Sequence, residues 1–161
     1  MDKEKKIVVG ISVGDLNGIG LEVVLKTFED KRMLDFCTPV IFGSSKAVSD
    51  HNKFVQSELQ PFEINHLENT NPNKMNVLNV WEEEVAMNLG TPTEESGSYA
   101  LQSLVSATDA LRDGNIDLLI TAPISKDNIQ SETFNFAGHT EFLESKLAGE
   151  SLMILMTEGL R

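Results

Sequence analysis

A helix-forming stretch that runs into an apolar strand across a single glycine turn is the feature that most limits how this chain can fold. From Thr93 to Arg112, Ala100, Leu101, Leu104, Val105, Thr108 and Leu111 recur at helical spacing as an inward stripe. Thr93 or Ser96 can cap its start, and Gly114, just past Arg112-Asp113, supplies the left-handed residue on which helices stop. Ile116–Thr121 follows at once as an apolar strand. A helix that returns through so short a turn lays its next strand parallel to an earlier one.

The same alternation runs through the rest of the chain. Ile7–Val13 reads as a buried first strand, Gly14–Gly20 as a glycine-rich turn, and Leu21, Val24, Leu25 and Phe28 as one face of a helix. Pro39–Phe42 is a second apolar run, after which Ser44 or Ser45 can cap a helix ending near Phe54 and Val55. Phe62–Leu67 alternates as a half-buried strand does, Asn69–Lys74 is a loop, and Val77–Trp81 is a further strand. Thr140–Leu147 is expected to be helical and Ser151–Thr157 to be one more buried strand. The fold class is therefore α/β, with a mostly parallel or mixed sheet.

Charge narrows the partners. The 161 residues carry 25 acidic against 13 basic side chains, a net charge of -12, and no segment concentrates Lys and Arg. Such a surface repels nucleic acid and anionic lipid, although a few donors inside a cleft can still hold a small anion. Leu152–Met156 is far short of the ~18 apolar residues of a membrane span. The mixed-sign Met1–Lys6 lacks the pattern of a signal peptide. Cys37 is the only cysteine, so no internal disulfide can form and a reducing cytoplasm is the expected setting. Cys37 itself reads as a buried structural residue, and His51, His66 and His139 show no metal-ligand spacing.

Three segments can carry chemistry. Gly14–Gly20 has the strand–turn–helix context in which backbone N–H groups meet anions. Its spacing is G-x-x-x-G-x-G, neither the dinucleotide fingerprint nor a P-loop, and Asp15 opposes a phosphate. Thr121–Lys126 lies at the carboxyl end of an apolar strand, where open α/β sheets bind ligands, and Lys126 brings an ammonium to that edge. Phe136–Glu141 sets the imidazole of His139 beside the hydroxyl of Thr140, with Glu141 able to orient the ring or stay solvated.

Together and in this order, the segments resemble the 4-hydroxythreonine-4-phosphate dehydrogenases, the PdxA family. That family's G-D-P-A-G-I-G-P-E stands here as Gly14–Glu22, its T-A-P-I-x-K as Thr121–Lys126, and its G-H-T-E as Gly138–Glu141. Leu16 and Leu21 stand where the usual signature has prolines. The resemblance implies a three-layer α/β/α subunit like the isocitrate and isopropylmalate dehydrogenases, with two domains and a homodimeric assembly. It implies NAD- or NADP-dependent oxidation of 4-phosphohydroxy-L-threonine to a 3-oxo acid. That acid decarboxylates to 3-amino-2-oxopropyl phosphate, on the route to pyridoxal phosphate.

Carried over by motif, His139 and Thr140 bind substrate, while Asp15, Glu22, Lys126 and Glu141 are candidates for the same cleft. A divalent metal (Zn, Mg or Co) is implied as a Lewis acid. Its ligands are expected beyond the Leu160-Arg161 pair, so residues 1–161 are expected to be the N-terminal portion of the enzyme, without a metal site and inactive alone. The alternatives are a dehydrogenase of a related phosphorylated four-carbon hydroxy acid, and a non-catalytic domain that binds an anion or a partner.

Overall fold

The computed structural model describes residues 6–157 and Gly159; Leu160-Arg161 and most of the N-terminal segment Met1–Lys6 lie outside the described residues. Five strands, β1 (Ile7–Ser12), β2 (Cys37–Gly43), β3 (Phe62–Ile64), β4 (Asn76–Asn79) and β5 (Leu118–Thr121), form one sheet in the order β3-β4-β2-β1-β5. Every pairing is parallel. Parallel neighbours need crossovers: α1 (Gly20–Glu29) and the short α2 (Met33–Phe36) lie between β1 and β2, α3 (Ser45–Phe54) between β2 and β3, and α4 (Glu94–Arg112) between β4 and β5. Strand β3 reaches β4 through a single 3-10 turn at Leu67–Asn69, and α5 (His139–Lys146) follows β5.

Side chains alternate across the sheet and sort the molecule into three layers. Val9, Ile11, Ile41 and Val77 point to the face covered by α1 and α3, where Leu21, Leu25 and Val48 meet them. Val40, Phe42 and Ile64 point to the other face, under Ala107 and Ala110 of α4. The expected face of α1 is buried as read, since Leu21, Val24, Leu25 and Phe28 are all in the core. Leu16 and Leu21, which stand in place of signature prolines, are both buried there.

Helix α4 starts and stops as its sequence dictates. Thr93 is the N-cap and forms a reciprocal capping box with Ser96, while Gly114 takes a φ of 73°. Its inward stripe differs from expectation. Ala100, Leu104 and Thr108 are buried, but Val105 is 36% exposed, and the close contacts come from Ser103, Ala107 and Ala110. Small residues win because α4 lies tight on the sheet. The Ser103 hydroxyl donates to the Phe42 carbonyl and accepts from the Val13 N–H, tying the carboxyl ends of β1 and β2 together. At α3, Ser44 holds the N-cap position without a side-chain cap bond, and Asn79 of β4 accepts from the Ser45 N–H instead.

Two strand expectations need correction. The apolar run Ile116–Thr121 yields β5 from Leu118 onward, but at the edge of the sheet, with Leu118 46% and Ile120 48% exposed. Ser151–Thr157 is not a strand. Leu152–Met156 are 68–83% exposed, and only Thr157 makes an isolated bridge. Strand propensity alone cannot fix such a segment, because an extended backbone without a paired neighbour leaves its N–H and C=O groups to water.

The corrected stripe has a measurable consequence. Leu104→Ala should destabilise the chain by about 2–5 kcal/mol, as full-burial truncations do. Val105→Ala should change stability by no more than about 0.5 kcal/mol. Urea denaturation of the two variants checks the difference.

Candidate functional site

The carboxyl ends of β1 and β5 lie side by side, and the loops that leave them build the candidate site. From β1 comes the turn Gly14–Gly20. Gly14 has a φ of +67°, and a Cβ there would sit 2.2 Å from the Pro123 carbonyl oxygen, so only glycine fits. The turn spends its donors internally. The Asp15 N–H donates to Pro123 at 2.9 Å, the Asn17 N–H to the Asp15 carboxylate at 2.8 Å, and the Gly18 N–H to the Asp15 carbonyl at 2.9 Å. The turn is thus a tight strand-to-helix connection, not an anion cradle.

From β5 comes Ala122–Lys126, and facing it is the first turn of α5. Between them lies a cavity of about 400 Å³ walled by Pro123, Ile124 and Lys126 on one side and by Gly138, His139, Thr140 and Glu141 on the other, with Met153 at its margin. Three of the motif residues singled out from sequence, Lys126, His139 and Thr140, therefore meet, with Glu141 beside them. The Lys126 stem runs past Gly138, where a Cβ would lie 4.0 Å from Lys126 Cε and 3.7 Å from Glu141 Oε2. Helix α5 is anchored through Phe142, which stacks with Phe134 and Phe136 at centroid distances of 5.4 and 5.5 Å.

His139 is the chemically distinctive member. Its Nε2 is buried with no hydrogen-bond partner, and burial holds its pKa below the ordinary imidazole value. His139 lines the cavity, and a neutral imidazole can donate to or accept from a small polar ligand. Thr140 adds a hydroxyl, and Lys126 a cation.

Two expected members stand elsewhere. Glu22 lies on α1 and pairs with Lys26 one turn on, at the surface and outside the cavity wall. Asp15 is buried and lines a smaller neighbouring cavity of about 240 Å³ that shares Pro123 and Ile124 with the first. Both its carboxylate oxygens are occupied, one by the Asn17 N–H and the other by the Asn128 side-chain amide at 2.9 Å. The sequence reading missed Asn17 and Asn128, because an asparagine in a polar turn carries no periodic signal. A cavity of about 810 Å³ opens at the opposite, amino-terminal end of the strands beside Lys6 and Thr38, and none of the motif residues lines it. Cys37 is buried, which pushes its thiol pKa up, consistent with a structural role.

Comparison with known proteins decides the family. Residues 35–161 match the family described as pyridoxal phosphate biosynthetic protein PdxA. The chain belongs to the PdxA family. A 4-hydroxythreonine-4-phosphate dehydrogenase of Bacteroides thetaiotaomicron is 43% identical over 161 residues, covering 99% of this chain and 44% of its own length. A Fusobacterium nucleatum protein, provisionally named a D-threonate 4-phosphate dehydrogenase, is 31% identical over 139 residues, 84% of this chain and 42% of its own. Among solved structures, a 4-hydroxythreonine-4-phosphate dehydrogenase from Burkholderia phymatum superposes with a TM-score of 0.81 at 25% identity, over 88% of this chain and 44% of that one. The chain spans less than half the length of the PdxA relatives it matches.

The cofactors that such relatives suggest can be tested against the residues present. Among the described residues, no group of three or more His, Cys, Asp or Glu side chains is placed to hold a metal ion. In the turn Gly14–Gly20 the N–H groups of residues 15, 17 and 18 are already engaged and are not offered to a dinucleotide phosphate.

The buried imidazole of His51 and the half-buried one of His139 set a pH dependence. Burial lowers the pKa of both His139 and His51, the latter opposed by a Gly18 backbone bond and by Glu22. When a folded histidine has a depressed pKa, the unfolded chain binds the proton first as pH falls. Stability should therefore be highest above pH ~6.5 and fall as the pH drops below it. Urea midpoints measured between pH 7.5 and 5.5 should show this slope, and His139→Gln should reduce it. In NMR titration the His139 ring should have its midpoint below 6.5.

Proposed function

We propose that this chain forms the substrate-binding side of an NAD- or NADP-dependent dehydrogenase that oxidises the secondary alcohol of 4-phosphohydroxy-L-threonine. The 3-oxo acid formed loses carbon dioxide to give 3-amino-2-oxopropyl phosphate, a step in making pyridoxal phosphate. Residues 1–161 would be the N-terminal portion of a two-domain α/β/α subunit, working as a cytoplasmic homodimer. The observation that carries this reading is the meeting of Lys126, His139 and Thr140 on one cavity, in a chain of the PdxA family.

Each residue has a role that its chemistry allows. The Lys126 ammonium meets the substrate phosphate or carboxylate as a point charge. His139 adds an imidazole to the same cavity wall, able to donate to or accept from a substrate oxygen. Thr140 supplies a hydroxyl that can both donate and accept. Glu141 adds a carboxylate to the same cavity. A divalent metal (Zn, Mg or Co) belongs to this reading as a Lewis acid, with ligands outside the described residues.

A second reading rests on the Fusobacterium relative: oxidation of D-threonate 4-phosphate. The two substrates share the phosphate and the four-carbon chain and differ at the carbon bearing the amino or hydroxyl group. The 43% identity to the Bacteroides enzyme supports the amino acid. Isothermal titration of the chain with both compounds discriminates them. Tighter binding of 4-phosphohydroxy-L-threonine is expected. Lys126→Met and His139→Ala should each weaken it by tenfold or more, since bonds to charged groups contribute about 1.5–3 kcal/mol. Affinity unchanged in both variants would overturn the site assignment.

A further inference from the structure

The loop that carries Lys126 is clamped at both ends, and the clamp uses residues that no substrate needs to touch. At its start, Gly14 lies against the Pro123 carbonyl, and the Asp15 N–H donates to that same oxygen at 2.9 Å. The Ala122 N–H donates to Ser12 at 3.2 Å, extending the β1–β5 register by one bond. At its other end, one side-chain amide does most of the fixing. Asn128 Nδ2 donates to the Asp15 carboxylate at 2.9 Å, to the Thr93 carbonyl at 2.9 Å and approaches Ser96 Oγ at 3.1 Å. Three acceptors from two separate elements, the β1 turn and the start of α4, thus converge on one group.

Backbone packing reinforces the convergence. A Cβ at Gly97 would lie 2.0 Å from the Asn128 carbonyl oxygen, so α4 can approach the loop only through glycine. Ile129, the next residue, is buried with Ala100, Leu104, Phe134 and Phe142, the same cluster that seats α5. Asn17 adds a second brace. Its amide donates to the Thr91 carbonyl at 3.0 Å, and its side-chain oxygen accepts from the Asn88 N–H at 2.7 Å, which holds the segment leading to Thr93. Between these anchors Lys126 stands at the exposed apex of the turn.

From this geometry we infer that Asn128 and Asp15 are positioning residues: they act through the 122–129 loop to hold the Lys126 ammonium at the cavity that His139 and Thr140 line. The inference rests on the substrate-binding reading above. It also recasts the conspicuous glycine-rich turn, whose part is to brace the binding loop from below rather than to bind an anion. A long lysine loses much rotamer freedom when it binds, and a loop already fixed spares the backbone share of that ordering cost.

Asp15→Asn and Asn128→Ala test it in the 161-residue chain. Asp15→Asn keeps shape and oxygen count on one side but turns an acceptor toward Asn128 into a donor. Amide hydrogen exchange is expected to speed at least tenfold at Ser125–Ile129 in either variant, while exchange in β1 and β2 stays as in the parent. Leu104→Ala serves as the control for a merely structural effect, since it should speed exchange across the whole core. Affinity for 4-phosphohydroxy-L-threonine should fall about tenfold in both variants, with Lys126→Met added to either costing little more. Unchanged loop exchange in both variants overturns the clamp, with no ligand involved. Faster loop exchange with full affinity, where Lys126→Met alone weakens binding, overturns the positioning role and leaves the binding site standing. Indifference of affinity to Lys126→Met and His139→Ala overturns the substrate reading itself.

Discussion

The contact between Gly14 and the Pro123 carbonyl is the constraint on which the rest of the site depends. It is a backbone-to-backbone approach that no side chain could share, at the point where two neighbouring parallel strands end. Parallel strands that end level normally let their loops diverge. Here the Asp15 N–H closes the gap by bonding to Pro123, and the buried Asp15 carboxylate then has one oxygen free to reach Asn128. Burying a carboxylate is costly unless its lone pairs are met, and both oxygens are met by amide donors. The arrangement transmits the rigidity of the sheet centre to a loop at its edge. Without it, β5, paired on one side only, would leave Lys126 on a segment with little to hold it.

Much of this architecture was legible in the sequence, because it follows from period and capping. The α1 face, the capping box at Thr93, the stop at Gly114 and the parallel return into β5 each depend on local chemistry that leaves a pattern. The misreadings have a common cause. Val105 was placed in the core because it is apolar at the right spacing, yet the helix sits so close to the sheet that Ser103, Ala107 and Ala110 fill the contact. Leu118, Ile120 and Leu152–Met156 are apolar but exposed, since burial depends on what packs against a segment and not on its composition. The site divides in the same way. Lys126, His139 and Thr140 were marked by motifs and do meet. Asp15 and Glu22 belong to a motif too, but one is consumed by the turn and the other by an ion pair. Asn17 and Asn128 left no mark at all, because their roles exist only between segments distant in sequence.

The fold itself does not fix the substrate. A terephthalate 1,2-cis-dihydrodiol dehydrogenase from Burkholderia xenovorans superposes on 88% of this chain with a TM-score of 0.67 at 22% identity. That likeness concerns the backbone alone. What a protein of a given fold binds is set by its site rather than by the backbone, and the site proposed here lies at the ends of β1 and β5 and on the first turn of α5. The placement of Lys126 and His139 therefore carries more functional information than the sheet beneath them.

The phosphorylated acid proposed as ligand meets a chain with a net charge of -12, and the geometry of the proposed site reconciles the two. At physiological ionic strength the Debye length is about 8 Å, so the many exposed carboxylates are largely screened from a ligand inside the cavity. Lys126, at the wall, is within contact distance and is not screened in that way. Glu141 is the one carboxylate among the residues that line the cavity. A neutral His139 adds a donor or acceptor without adding charge, which suits a ligand whose phosphate, carboxylate and alcohol must be told apart by position. Discrimination then comes from the distances fixed between these three groups, and those distances are only as reliable as the loop and helix that hold them.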